Sequence, residues 1–197
     1  VDAIVASVVA DDADGDAITT TFVWSIDGEA IEHAGDTLPA ELTAKGDSVT
    51  VSVYVNDGFV DSEVVTSEAV AVVNTAPSYV GAQIEPTGLF EDSTASCVPS
   101  GWSDVDGDAE QAIISWTVNG SPREGVTLDG SAFSRGDILS CSVVPFDGEA
   151  EGDAVVAASV EIGNTAPVLS GVSIDIASPK EGDTLSAVLG STVDIDG

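Results

Sequence analysis

Ser48-Val49-Thr50-Val51-Ser52-Val53-Tyr54-Val55-Asn56 sets a valine at every second position without a break. Successive side chains of a β-strand point to opposite faces, so Val49, Val51, Val53 and Val55 share one face and the run predicts a half-buried strand. The pattern returns 90 residues later, with Leu139, Cys141 and Val143 on the apolar face. Upstream, Phe22, Trp24 and Ile26 form a second inward set, matched by Ile114, Trp116 and Val118. Further out, Val70 and Val72 match Val160 and Ile162, and Ala82 and Ile84 match Val172 and Ile174. Short alternating runs with turn signals every 8–12 residues or so indicate an antiparallel sandwich.

The matches belong to a repeat that covers the whole chain. Asp12-Ala13-Asp14-Gly15-Asp16 recurs as Asp104-Val105-Asp106-Gly107-Asp108 and starts again at Asp194-Ile195-Asp196-Gly197. Asn74-Thr75-Ala76-Pro77 recurs as Asn164-Thr165-Ala166-Pro167. The offset is 92 residues up to Trp24 and Trp116, then 90 from Lys45-Gly46-Asp47 and Arg135-Gly136-Asp137 onward, through Asp57-Gly58 and Asp147-Gly148. A fixed long period means stacked modules, and about 90 residues can bury one modest core. The expected domains are residues 1–76, a first copy lacking its first strand; 77–166, a whole copy; and 167–197, the first strands of a third. In the whole copy about seven strands are expected, over 78–85, 93–100, 111–119, one or two weak ones within 121–133, 138–145 and 154–163. The chain opens and closes at one phase and contains no Met, so it reads as an excerpt of a longer array. The third copy's strands, 168–176 and 184–193, carry Val172, Ile174, Leu185 and Leu189. An apolar strand with no sheet over it calls for cover, by continuation of the chain or by strand addition from an identical subunit along a fibre axis.

Composition narrows the function. Acidic residues number 35 against 4 basic ones, a net charge of −31, so phosphate backbones are repelled and nucleic acid is excluded as a partner. Anionic membranes are disfavoured, and no stretch reads as a membrane span or a signal peptide. A gatherer of cations, a chain adapted to high salt and a merely soluble acidic surface all remain open. The hydrophobic share, 43%, argues against disorder.

Cys97 and Cys141 fall on inward positions of two different strands, and the repeat offsets align them with Val5 and Val51. Two positions that are Cys together in one copy and Val together in the other suggest direct contact, hence a Cys97–Cys141 disulfide and an oxidising compartment. Asp-x-Asp-Gly-Asp, then Trp116 to Gly120 (Trp-Thr-Val-Asn-Gly), then Asp-Gly, then Asn-Thr-Ala-Pro resembles the tandem immunoglobulin-like, cadherin-like and PKD-type repeats of large prokaryotic surface proteins. The resemblance implies an all-β fold of tandem seven-stranded antiparallel immunoglobulin-like β-sandwiches, with a disulfide packed on the Trp. It implies an extracellular or cell-surface location. The role expected is structural, as a surface fibre, stalk or adhesin shaft whose partners are neighbouring repeats or identical subunits. The alternative is a module that binds glycan or another cell-surface partner.

In such a sandwich the acidic loops meet the incoming linker at one pole. Asp104, Asp106 and Asp108, with Asp147, Glu149 and Asn74, then offer carboxylate and amide oxygens to Ca²⁺, which takes 6–8 oxygens at about 2.3–2.6 Å. Asp12, Asp14 and Asp16 form the corresponding, weaker set in copy one. A solvated Asp-Gly-Asp turn is the competing reading. An EF-hand is excluded, because the sixth position of each loop is Ala17 or Ala109 rather than Gly. Arg135-Gly136-Asp137 is read as a turn rather than an integrin tripeptide, Asn119-Gly120 as a turn rather than a glycosylation site, and the lone His33 as a solvent residue. No motif supports catalysis.

Overall fold

The computed structural model describes residues 2–196. Their regular structure is almost entirely antiparallel β, with one short 3-10 turn at Ala40–Leu42 and no α-helix. The chain forms two compact units. One runs to Pro77 and also takes in the loops Asp104–Ala109 and Asp147–Ala150; the other comprises Ser78–Ser103, Glu110–Phe146 and the chain from Glu151 onward.

The first unit contains β1 (Ile4–Val5), β2 (Thr19–Ile26), β3 (Glu29–Ala30), β4 (Thr37–Leu38), β5 (Ser48–Asn56), β6 (Val65–Thr66) and β7 (Val70–Ala71). The alternating run is β5, flanked by β2 on one side and by β6 and β7 on the other, while β1 pairs with β4. Trp24 stands opposite Val51, and these two with Leu38 and Val49 make the buried core. The indole N–H donates to the Gly35 carbonyl at 2.9 Å, so the burial of Trp24 leaves no polar group unpaired. A groove of about 470 Å³ runs beside β1 and β5, lined by Ile4, Trp24, Val49, Val51 and Val70.

The second unit contains β8 (Gly81–Glu85), β9 (Thr94–Ser100), β10 (Gln111–Val118), β11 (Ser121–Arg123), β12 (Thr127–Asp129), β13 (Ile138–Phe146), β14 (Val155–Val156) and β15 (Val160–Glu161). Strands β12, β9 and β8 form one sheet; β11, β10, β13 and β14 form the other, with β15 also on β13. Ile84, Ala95 and Cys97 from the first sheet meet Trp116, Val118, Leu139, Cys141 and Val143 from the second in a single core, a sandwich-like arrangement. Cys97 and Cys141 form the expected disulfide across the sheets. Strand β10 ends where Asn119 and Gly120 take φ of 50° and 77°, the left-handed pair that a two-residue hairpin into β11 requires. The expected run 154–163 is divided into β14 and β15.

Beyond it, β16 (Val168–Leu169), β17 (Val172–Ile174), β18 (Ala187–Leu189) and β19 (Thr192–Val193) pair only as β16 with β19 and β17 with β18. Val172, Ile174, Leu185 and Leu189 are exposed, whereas Ile84, the counterpart of Ile174, is 4% exposed. The difference is the missing second sheet: no buried core cluster forms among the described residues of this segment.

Strand β1 lies one residue out of the phase expected for it. The repeat offsets pair Val5 with Cys97, yet Val5 is 66% exposed. Ile4 pairs with Leu38 as Ala95 pairs with Leu128, so the offset on this strand is 91 residues, and the counterpart of Cys97 is Ala6. Ala6 packs against the core. A shift of one residue turns every side chain of a strand to the opposite face, which is why Val5 points out.

This packing fixes two measurable outcomes. Unfolded, unreduced protein should show no free thiol, and because the crosslink spans 44 residues, reduction should lower stability by about 3–4 kcal/mol in the chain-entropy model, measured by urea unfolding. In copy one, the double variant A6C/V51C should oxidise to a disulfide, whereas V5C/V51C should keep two titratable thiols.

Candidate cation site at the acidic loops

The register of β10 on β13 builds the site. Gln111 lies opposite Phe146, so the acidic loop that leads into β10 and the Asp147 loop that leaves β13 emerge at the same strand ends. Gly107 has φ of +78°, a conformation in which any side chain would be strained; this lets the Asp104–Asp108 loop reverse. The Asp104 carboxylate accepts the Asp108 N–H at 3.0 Å and closes the loop. One oxygen from each of Asp104, Asp106 and Asp108 then lies within 4.8 Å of the others.

Three like charges at that range need compensation, and residues of copy one supply it. Lys45 Nζ donates to Asp108 Oδ2 at 2.6 Å, to Asn74 Oδ1 at 2.9 Å and to Glu149 Oε1 at 3.1 Å. The Asn74 amide donates to Asp147 Oδ2 at 2.8 Å, and the Thr75 N–H to Asp106 Oδ2 at 2.6 Å. Asp147 is 7% exposed, and its other oxygen accepts the N–H groups of Glu149 and Ala150 at 2.7 Å each. The Ala150 N–H, then the Asn74 amide, hold the Asp147 carboxyl down at about 2. Its bond to Asp108 is the main reason the Lys45 ammonium is held more firmly protonated than usual.

The structure therefore brings together Asp104, Asp106, Asp108, Asp147 and Asn74. Asp147 and Asn74 are engaged with each other, and the three loop aspartates are the set whose oxygens lie close enough together to share a metal. Their chemistry fits a hard cation, and Asp104 Oδ2 is buried with no hydrogen-bond partner. Asp12, Asp14 and Asp16 form no comparable group: the Asp12 carboxylate accepts the N–H groups of Asp14 and Asp16 at 3.0 Å each, and both of those side chains are exposed. In the second unit the linker contact recurs. The Thr165 N–H donates to Asp196 Oδ2, and Arg135 Nη1 donates to Asn164 Oδ1 at 2.7 Å.

Lys45 is the residue that sequence reasoning leaves as part of a turn. The available signal is its phase, since two of the four basic residues, Lys45 and Arg135, occupy one repeat position. The Arg135-Gly136-Asp137 turn is tied inward, with Asp137 accepting from the Ser134 N–H and from the Asn119 amide. His33, expected in solvent, is half-buried and bonded through Nε2 to the Thr37 carbonyl at 2.7 Å.

Neither protein-family models nor curated proteins give a match to this chain. No helix among the described residues is long and apolar enough to cross a membrane.

The depressed Asp147 carboxyl has a pH consequence. Its folded value lies below the ordinary one of about 3.9, so its contribution is full above pH ~4 and is lost as pH falls toward ~2. Thermal melts over that window should show the parent losing more stability than D147N, which cannot titrate at this position.

Proposed function

We propose that this chain is a structural segment of an extracellular tandem-repeat protein, a fibre, stalk or adhesin shaft. In this reading its repeats are immunoglobulin-like sandwiches whose linkers are anchored on acidic loops. One observation carries it: the linker N–H meets the aspartate before the glycine of the next acidic loop twice at the same phase, Thr75 on Asp106 and Thr165 on Asp196. A chain built to be extended needs each linker fixed to the repeat after it, and a recurring contact provides this without any catalytic group. The disulfide is compatible with secretion.

Calcium is the cation this reading assigns to Asp104, Asp106 and Asp108, where it would tighten loops already in contact with the linker. An ion that binds only the folded state adds RT ln(1 + [L]/Kd), about 2.7 kcal/mol at a hundredfold excess over Kd. The melting temperature should thus rise with calcium and fall with chelator. Identical melts together with a flat calorimetric titration would remove calcium from the proposal. Antibodies raised against the chain should label intact cells of its source; labelling only after permeabilisation would overturn the extracellular placement.

A further inference from the structure

We propose that Lys45 is a tethered cation: its ammonium holds the cation position of the acidic loops, and a divalent ion reaches Asp108 only by displacing it. The inference rests on the calcium reading only for the identity of the displacing ion.

The ammonium has the coordination of a resident ion rather than of a stray surface pair. It is surrounded by two carboxylate oxygens and an amide oxygen, from Asp108, Glu149 and Asn74, all within 3.1 Å, and its side chain is 24% exposed. Those are the oxygen types a hard cation takes. Asp108 belongs to the three-carboxylate group and also accepts the shortest of the Lys45 bonds, so metal and ammonium claim the same carboxylate.

The turn that carries Lys45 is pinned in place before any charge is met. Gly46 N–H donates to the Val72 carbonyl at 2.9 Å, Val72 N–H returns to the Asp47 carbonyl at 2.8 Å, and Asp47 Oδ2 accepts the Ala44 N–H at 2.8 Å. Asn74 comes two residues after Val72, so the base and the linker amide are presented together. Copy two repeats the turn and the contact to the linker amide: Gly136 bonds to Ile162, Ile162 to Asp137, Ser134 to the Asp137 carboxylate, and Arg135 to Asn164. Placing half of the chain's basic residues at this one turn, in a molecule of charge −31, is what a built-in counterion requires. Held by a short tether, such a counterion acts at a high effective concentration and disfavours any ion that competes for its oxygens.

The test is calorimetric calcium titration of the full chain as parent, K45M, K45R and R123M. R123M removes one positive charge away from the loops, where, among the described residues, the Arg123 guanidinium bonds only to the Pro122 carbonyl. K45M should bind calcium on the order of tenfold more tightly than the parent, with K45R staying near the parent and R123M changing little. If the parent binds calcium and K45M is no tighter than R123M, the tethered-cation inference fails while the calcium reading stands. If K45M binds and the parent does not, the inference holds and calcium is excluded from the native loops. Binding by none of the four would overturn both.

Discussion

Each of the two larger sheets is organised by one pairing, that of the tryptophan strand with the alternating strand. Trp24 opposite Val51 and Trp116 opposite Cys141 bury the largest fully buried side chain of each copy against the face that alternation has made apolar. The same register decides where the loops start. Because Gln111 meets Phe146 and Thr19 meets Asn56, the acidic loop before the tryptophan strand and the Asp-Gly loop after the alternating strand leave from matched strand ends. The polar chemistry of the chain is thus a consequence of how its apolar residues pair.

The two copies use this frame differently. In the second unit, β8 and β9 bring Ile84, Ala95 and Cys97 over the tryptophan sheet, and the disulfide joins the two layers. In the first, β1 and β4 cover Trp24 with shorter strands and a groove remains beside β5. Burial tracks the cover available: Ile84 lies in a core, while Ile174, at the same repeat position, is exposed on a two-stranded pair. Inward-facing sequence alone buries nothing without a second layer to receive it.

Electrostatics is arranged in the same economical way. A chain of charge −31 has strong self-repulsion, yet its densest carboxylate group is not left to solvent. The Thr75 N–H and the Lys45 ammonium are aimed at it, the Asn74 amide at the neighbouring Asp147, and the turn that carries Lys45 is held by backbone hydrogen bonds of its own. Preorganisation of that kind lowers the entropic cost of holding opposite charges together, which is what limits ordinary surface ion pairs.

The all-β character, the tryptophan and alternating strands, the Asn119-Gly120 turn and the Cys97–Cys141 disulfide were legible in the sequence. The first three are local patterns; the disulfide was expected from two inward Cys positions, although the structure matches Cys97 with Ala6 rather than with Val5. The facing of β1 was not: Ile4, Val5 and Ala6 are all apolar, so periodicity cannot choose between phases, and only the pairing of Ile4 with Leu38 did so. Lys45 was equally hidden, because its partners Asp108 and Glu149 lie 63 and 104 residues away. The sequence by itself determined which segments are strands and which loops are acidic, since both depend on neighbours along the chain. Tertiary structure alone decided which cation-bearing turn meets those acids, since that depends on where distant strand ends are brought.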